Sequence, residues 1–394
     1  MRTIRKLSVS GLLSFAPDSS PFDLQALNVL IGPNGSGKSN FIEVLELLSA
    51  APHNLAAAVR DGGLPNEWLW RGNGPPNHAE VDVQLGENTP TGRPLRYRLR
   101  FAPVQNRLEI VDEAIEELEP QPGEEDVYFY YRFQEGHPVL NVKDNHGSSI
   151  RRQLKREDLT PDQSVLSQRK DPEQYPEVTW TGHRLGAIRT FREWTFGRYA
   201  RLRRPQPPDL PDDQLLPDSS NLALVVNRLE HSDETRTRIN SLLRQFFPRF
   251  ERFSTLVSGG AVQFFLHETN FDPIPATRIS DGTLRFIAIL ATLLSPSPPA
   301  LVCMEEPELG LHPDAVALLA DVLVEASERM QLVVTTHSDA LVSALTNHPD
   351  AIVACERPGA ASMLRRLDPA QLASWLEEYR LGDLWRMGDL GANP

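Results

Sequence analysis

Cysteine is almost absent from this 394-residue chain, which contains only Cys303 and Cys355. Two cysteines cannot form the disulfide framework of a small secreted domain, and no CxxC pair offers the ligands of a zinc site. A chain so poor in cysteine is typical of a reducing compartment, and we therefore expect a cytoplasmic protein.

Long hydrophobic runs are also absent. The most apolar stretch, at residues 286–294, is far shorter than the ~20 residues that cross a bilayer. Near the N-terminus, serines interrupt the apolar residues 7–15, which we interpret as a first strand rather than a signal peptide. We therefore expect no membrane partner.

Positive charge is outnumbered, since 40 Lys and Arg residues face 53 Asp and Glu residues and the net charge is −13. Proteins that coat nucleic acid electrostatically are usually basic, so the composition disfavours that function. The chain also lacks a sustained heptad pattern, which argues against a long coiled coil.

The apolar residues, 40% of the chain, are sufficient for a core. Strand-like runs at residues 26–31, 300–304 and 331–335 accompany helical patterns at residues 283–294 and 313–329. Alternation of strand and helix predicts an α/β fold with a mostly parallel sheet and flanking helices.

We divide the chain into three predicted parts. Residues 1–135 form an N-terminal lobe with antiparallel strands, and residues 136–278 form an inserted helical lobe rich in arginine and proline. Residues 279–394 form a C-terminal lobe. This lobe is predicted to end in a helix over residues 372–385 that packs on the core through Leu372, Trp375, Leu376 and Tyr379. The alternative is that this face docks a partner protein.

The strongest motif is GPNGSGKS at residues 32–39, which matches G-x-x-x-x-G-K-[ST] between a predicted strand and a predicted helix. Its glycines let backbone N–H groups approach a phosphate closely, and the helix N-terminus favours an anion. We expect Lys38 to bind the β- and γ-phosphates and Ser39 to bind Mg²⁺.

Two carboxylates follow the apolar run at residues 300–304, and a histidine follows the run at residues 331–335. We assign Glu305 to Mg²⁺ and Glu306 to polarising the attacking water. His337 lies at the ligand-binding edge expected of a parallel sheet, where its imidazole could sense the γ-phosphate.

The segment RISDGTLR, residues 278–285, opens a helix. Ser280 is an ordinary N-cap in one interpretation. In the other, Ser280 and the backbone of Gly282 form a second anion site that serves the nucleotide of a partner.

Arginines and aromatic residues alternate through residues 183–204. They could contact nucleic acid, with arginines on phosphates and aromatics on bases. They could instead form ion pairs with the carboxylates of this acidic chain, which is the interpretation that the net charge favours.

These motifs, together with MEEPELGLHP and TTHSD, resemble the ATP-binding-cassette superfamily, and more narrowly its RecF/SMC-like branch. The resemblance implies a P-loop NTPase of ABC/SMC-head type, with a mixed sheet, an antiparallel β lobe and a helical lobe. It is similar to the ATPase part of OLD-type proteins without the TOPRIM nuclease, and we expect no nuclease in this chain.

The resemblance also implies site residues and partners. Two copies would stack head to tail around ATP and Mg²⁺, with Glu306 and His337 as catalytic residues. Asp281 would join Ser280 and Gly282 in the trans-acting signature. Gln168, preferred over Gln84 at a strand end, would join Ser39 and Glu305 at the metal. The ATP-binding residues would be Gly32, Pro33, Asn34, Gly35, Ser36, Gly37, Lys38, Ser39 and Asn40.

Three functions remain open at this level. The first is an ATPase that cycles between conformations on DNA, in repair or anti-phage defence. The second is a nucleotide-gated module that controls a separately encoded effector protein, with slow hydrolysis. The third, the ATPase subunit of a membrane transporter, is disfavoured by the aspartate in the signature and by the large middle insertion.

Overall fold

The computed structural model describes residues 2–74, 76–86, 89–134, 136–143, 149–153 and 159–392. The strands, in chain order, are β1 Ile4–Ser10, β2 Phe22–Asp23, β3 Leu27–Ile31, β4 Ala79–Leu85, β5 Leu95–Val104, β6 Arg107–Glu117, β7 Phe129–Gln134, β8 His137–Lys143, β9 Ser149–Gln153, β10 Ile188–Phe191, β11 Phe250–Ser258, β12 Ala261–Glu268, β13 Ile274–Pro275, β14 Leu301–Glu305, β15 Gln331–Thr335, β16 Ile352–Glu356 and β17 Met363–Arg366.

The helices lie between groups of these strands or follow the last of them. They are α1 Lys38–Ala50, α2 Leu55–Asp61, α3 Pro65–Trp68, α4 Val165–Gln168, α5 Pro176–Gly186, α6 Leu222–Glu230, α7 Asp233–Phe246, α8 Asp281–Leu293, α9 Pro313–Ser327, α10 Asp339–Ala344, α11 Pro369–Leu372 and α12 Leu381–Met387. Among the residues that the structure describes, no helix combines the length and apolar character needed to span a bilayer.

The chain forms two compact units, neither of which is continuous in sequence. Unit 1 contains Met1–Ile188, Val353–Arg366 and Gly391–Pro394, and unit 2 contains Arg189–Ile352 and Leu367–Leu390. The predicted boundary after residue 135 falls in the hairpin between the paired strands β7 and β8, and the predicted boundary after residue 278 falls inside unit 2. The three-part division therefore remains a prediction about sequence organisation, and the compact units follow other boundaries.

Unit 1 contains an eight-stranded antiparallel sheet in the order β2-β1-β4-β5-β6-β7-β8-β9. Alternate residues of β4 and β5 are buried, as the alternating sequence predicts for a sheet with one face on the core. Arginines of β5 pair with carboxylates of β4 and β6, for example Arg96 with Asp82 and Glu116. Unit 1 also contains neighbouring strands β3, β16 and β17, and helix α1, which packs on α2 and α5.

Unit 2 contains the parallel pair β14–β15, with β10 beside β14. All five residues of β15 and the first four of β14 are buried, which agrees with the apolar run in the middle of β15 and at the start of β14. Helix α9 packs on α8, α10 and β15, and a separate antiparallel sheet has the order β11-β12-β13. The C-terminal ends of β14 and β15 therefore meet at one edge within this unit.

The predicted single helix over residues 372–385 is wrong. Helix α11 ends at Leu372 and α12 begins at Leu381, with turns between them. Trp375 is 47% exposed and Tyr379 39% exposed, so the predicted apolar face does not pack on the core. Leu384 and Trp385 of α12 are buried instead, and α12 packs on α10.

Candidate functional site

The phosphate-binding loop of unit 1 connects a buried strand to a helix. Strand β3 is buried throughout and ends at Ile31, and α1 begins at Lys38. The N-cap of α1 is Gly37, which has no side-chain oxygen to satisfy the first N–H groups of the helix. Pro33, Asn34 and Gly35 are exposed at the tip of the loop. The loop thus presents backbone donors at an uncapped helix end, as an anion site requires.

Two positions in the loop require glycine. Gly32 has a φ of 148°, and a Cβ there would lie 2.3 Å from the carbonyl oxygen of Cys355. Gly37 has a φ of 107°, and a Cβ there would lie 2.2 Å from the Ser362 hydroxyl oxygen. Any larger residue would have to displace these neighbours, so the path of the loop depends on both glycines.

Lys38 is buried within the loop, and its Nζ donates to the carbonyl oxygens of Gly32 (2.7 Å) and Pro33 (3.1 Å). Its ammonium is therefore held against the loop, where a phosphate could replace the carbonyl oxygens as acceptor. Ser39 is exposed in the first turn of α1, and Asn40 is partly buried beside it. These residues fit a nucleotide phosphate and its metal ion.

Buried hydroxyls surround the same loop without a hydrogen-bond partner among the described residues. They are the Oγ atoms of Ser14, Ser36 and Ser362. A buried hydroxyl without a hydrogen-bond partner costs free energy. A ligand that supplied this hydrogen bond would therefore bind more tightly there. Next to them lies a cavity of 340 Å³, lined by Phe15, Asp18, Ser19, Ser20, Ala361, Ser362, Met363 and Leu364. The cavity is large enough for a small organic group.

The predicted catalytic carboxylates lie in unit 2, at the end of β14. Glu305 is the last residue of the strand and pairs in register with Thr335 of β15. Glu306 follows with a φ of +45°, a backbone conformation that non-glycine residues rarely adopt. Its N–H donates to the Thr335 carbonyl oxygen (3.0 Å), which helps to hold the strained residue at the end of the parallel pair.

The predicted histidine lies beside these carboxylates. Nε2 of His337 is 3.7 Å from Oε1 of Glu306, and both side chains are about one third exposed. The structure thus brings Glu305, Glu306 and His337 to one edge of the β14–β15 pair. The arrangement places a carboxylate and an imidazole together where they could bind a water and a phosphate oxygen.

A third carboxylate, Glu308, supports this edge. Its side chain is buried and accepts a hydrogen bond from the Thr336 hydroxyl, which in turn accepts from the Ser338 N–H at 2.9 Å. Burial raises the pKa of the Glu308 carboxyl, and its hydrogen bonds lower it by less. Because Thr336 and Ser338 flank His337, this network fixes the backbone on both sides of the histidine.

Two residues of the arginine-rich stretch also contact the acidic edge. Nε of Arg192 donates to Oε2 of Glu305 at 3.2 Å, and Nε1 of Trp194 donates to the Glu305 carbonyl oxygen at 3.0 Å. The Trp194 ring stacks between the rings of Phe191 and Phe196. Arg192 and Trp194 were predicted only as members of the arginine-rich stretch, which would contact nucleic acid or form ion pairs, and not as residues of the acidic edge. The pattern of arginines and aromatic residues does not identify Glu305 as their partner, because the contacts join residues that are distant in sequence.

The signature segment forms the N-terminus of α8 in unit 2. Oγ of Ser280 accepts from the Thr283 N–H at 3.1 Å, so Ser280 is the N-cap that the simpler interpretation predicts. Asp281 begins the helix and is ion-paired with Arg203. A Cβ on Gly282 would lie 2.7 Å from the Gly310 carbonyl oxygen. The role of Ser280, Asp281 and Gly282 toward a partner's nucleotide remains a prediction.

Gln168, a predicted metal ligand, is the last residue of the short helix α4 in unit 1. Its Oε1 accepts from the Thr160 N–H at 2.7 Å and its Nε2 donates to the Gln163 carbonyl oxygen at 2.7 Å. In this structure its amide therefore closes a local turn. The metal role of Gln168 remains a prediction.

Comparisons with known proteins match most of the chain to one family. Residues 27–343 match the model of a family described as "AAA domain, putative AbiEii toxin, Type IV TA system". The matched region includes the phosphate loop, the signature segment, the acidic edge and His337. No curated protein matches the chain.

Solved structures of SMC heads share the fold. An Smc head bound to the C-terminal winged-helix domain of ScpA has a TM-score of 0.59 and 14% identity, over 94% of this chain and 99% of that one. The Pyrococcus furiosus Smc head with an extended coiled coil, bound to the C-terminal domain of ScpA, has a TM-score of 0.61 and 14% identity, over 96% and 99%. The Pyrococcus yayanosii Smc head with a coiled coil and joint has a TM-score of 0.53 and 12% identity, over 96% and 99%.

Proposed function

Because the chain belongs to this AAA family and has the P-loop ATPase fold of SMC heads, we propose that it hydrolyses ATP with Mg²⁺ and dimerises around the nucleotide. The observation that carries the proposal is the phosphate loop. Its required glycines, buried Lys38 and unpartnered hydroxyls together fit a nucleotide phosphate.

The residues of each unit would have separate tasks. Lys38 would exchange its loop carbonyl acceptors for phosphate oxygens, and Ser39 would contribute a hydroxyl to the metal. The cavity beside Ser362 would receive the base and ribose. When bound, Mg²⁺ would neutralise charge on the β- and γ-phosphates.

The acidic edge of unit 2 would serve hydrolysis. Glu305 would hold the metal, which requires that it exchange its ion pair with Arg192. Glu306 would orient the attacking water and accept its proton, and His337, 3.7 Å away, would contact the γ-phosphate. The strained backbone of Glu306 supports this role, since such conformations cluster at functional sites.

Dimerisation would complete each site, with Ser280, Asp281 and Gly282 of one copy acting on the nucleotide of the other. The N-terminus of α8 suits this task because its first turn offers backbone donors to an anion. Hydrolysis of ATP to ADP and phosphate would separate the copies. The output of the cycle would therefore be a change in the assembly of the two copies.

Steady-state ATP hydrolysis by the wild-type protein, Lys38→Ala and Glu306→Gln tests this proposal. We expect Lys38→Ala to lose ATP binding. We expect Glu306→Gln to keep ATP binding, to lose about 10²- to 10⁴-fold in rate and to accumulate as an ATP-bound dimer. Glu234→Gln, an exposed change on α7, is the matched control and should behave as wild type. Normal hydrolysis by Glu306→Gln would overturn the assignment of Glu306.

The biological role is a separate part of the proposal. Arg192 and Arg203 of the arginine-rich stretch pair with carboxylates of this chain, which supports the ion-pair interpretation over DNA contact. The family description names a putative toxin of a type IV toxin–antitoxin system, which supports a role in defence. Hydrolysis measured with and without linear double-stranded DNA distinguishes an ATPase that acts on DNA from a nucleotide-gated switch for a protein partner. A rate indifferent to DNA would support the switch, and stimulation that disappears at higher salt would support a DNA-dependent machine.

A further inference from the structure

Arg203 of unit 2 is a buried arginine whose contacts converge on the signature segment. Its side chain is 5% exposed, whereas the side chain of its ion-pair partner Asp281 is 65% exposed. An arginine is rarely this buried unless its donors are satisfied. Here the guanidinium donates to several acceptors, and all but the Phe196 carbonyl oxygen lie between residues 276 and 281, where α8 begins.

The contacts of the guanidinium fix three points between residues 276 and 281, which include the start of the signature segment. One terminal nitrogen donates to the carbonyl oxygens of Ala276 and Ile279, both at 2.7 Å. The other terminal nitrogen donates to Oδ1 of Asp281. Ser280 therefore lies between two residues that are both held by the same planar group. A lysine could not reproduce this fork, because its ammonium is a single point of charge.

The other side of Arg203 is anchored to the body of unit 2. Its Nε donates to the Phe196 carbonyl oxygen at 2.7 Å. Three residues further on, the backbone of Gln206 exchanges two hydrogen bonds of 2.8 Å with Val262 of β12, and the side chain of Gln206 accepts from the Ala223 N–H of α6. The guanidinium thus connects a fixed segment to the loop that carries Ser280.

We propose that Arg203 is a positioning residue that sets the signature segment for action on the nucleotide of a second copy of this chain. The proposal rests on the proposed function, because it requires that two copies share each ATP. Arg203 does not touch the nucleotide. Its loss would displace Ser280 and Asp281 without changing the phosphate loop of the same copy.

The first measurement compares Arg203→Ala and Arg203→Lys with the wild type and with Arg204→Ala. Arg204 is the exposed neighbour and serves as the matched control. We expect Arg203→Ala to bind ATP as the wild type does but to hydrolyse it about 100-fold more slowly, because small displacements of positioning groups have effects of this size. Arg203→Lys should recover only part of the rate, and Arg204→Ala should retain all of it.

Mixing experiments separate a positioning role from simple loss of structure. An inactive Lys38→Ala copy keeps an intact signature, and an Arg203→Ala copy keeps an intact phosphate loop. A mixture of the two should therefore regain activity in the mixed dimer. The reference mixture is Lys38→Ala with Ser280→Arg, which tests the shared site itself.

The outcomes are distinct. Recovery in both mixtures supports the role of Arg203. Recovery in the reference mixture alone overturns that role and leaves the shared-ATP dimer standing, whereas no recovery in either mixture overturns the shared site and, with it, this inference. If Arg203→Ala does not fold, Arg203→Lys, which keeps the positive charge but not the fork of donors, takes its place in the mixture with Lys38→Ala and is judged by the same outcomes.

Discussion

A buried carboxyl in unit 1 should make the stability of the protein depend on pH near neutrality. Glu113 lies on β6 and is 1% exposed. Its carboxyl accepts hydrogen bonds from the Tyr97 hydroxyl (2.8 Å), the Ser164 hydroxyl and the Val165 N–H (2.9 Å). Burial raises its pKa from 4.5 to about 7, since the hydrogen bonds, which favour the charged form, offset only part of the desolvation.

The sign of the effect follows from proton binding. The folded protein holds this proton more tightly than the unfolded chain, so the proton stabilises the folded state fully below pH 4.5. That stabilisation is lost as the pH rises through 7. Each unit of pKa difference corresponds to about 1.4 kcal/mol, so the loss between pH 4.5 and pH 8 is about 3 kcal/mol at most.

Urea unfolding of the wild type and Glu113→Gln at pH 5 and pH 8 measures this effect. Glutamine does not titrate, so the variant should gain stability relative to the wild type as the pH rises, by about 2–3 kcal/mol. Glu119→Gln, an exposed change just beyond β6, should track the wild type at both pH values. The reasoning fails if the difference between Glu113→Gln and the wild type is the same at pH 5 and pH 8.

Three further predictions test other contacts. Gly37→Ala should abolish ATP binding, because its Cβ would meet a hydroxyl oxygen at 2.2 Å, whereas Gly35→Ala has open space and should cost only about 1 kcal/mol of unfolding free energy for its positive φ; nucleotide titration and denaturation compare the two. Thr336→Val should destabilise by about 1–3 kcal/mol and slow hydrolysis, because a buried carboxylate loses its hydroxyl partner. Arg96→Ala should destabilise by about 3 kcal/mol in urea unfolding, because Glu116 is only 3% exposed and loses one of its two arginine partners; an unchanged midpoint would contradict this.

Local patterns in the sequence predicted the elements that carry the candidate site. The predicted strand at residues 331–335 has the bounds of β15, and the predicted helix after the phosphate loop is α1. Strand β15 is buried along its whole length, and the loop before α1 requires glycine at two positions. The sequence of each therefore leaves few alternative structures.

The helix predicted over residues 372–385 failed for a physical reason. The segment contains two groups of apolar residues, one around Trp375 and one around Trp385. Periodicity alone does not predict which of the two groups packs on the core. Gly382 lies so close to α10 that a Cβ would be 2.2 Å from the Asp339 carbonyl oxygen, and this close approach lets Trp385 become buried. Such a fit depends on residues distant in sequence.

The arginine contacts were beyond sequence reasoning for the same reason. Arg192 pairs with Glu305 and Arg203 with Asp281, across long stretches of chain. The composition favoured ion pairs over nucleic-acid contact, and these two arginines do form ion pairs. Which carboxylate each would meet depends on the folded backbone.

The left-handed backbone of Glu306 has an evolutionary consequence. Glycine adopts this conformation without strain, so Glu306→Gly should raise the melting temperature by relieving about 1 kcal/mol while it removes the carboxylate. Selection for stability alone would favour glycine at this position. Under the catalytic role proposed for Glu306, glutamate at this position keeps activity at the expense of stability, and a thermostable variant found by random mutagenesis should be checked at this codon first.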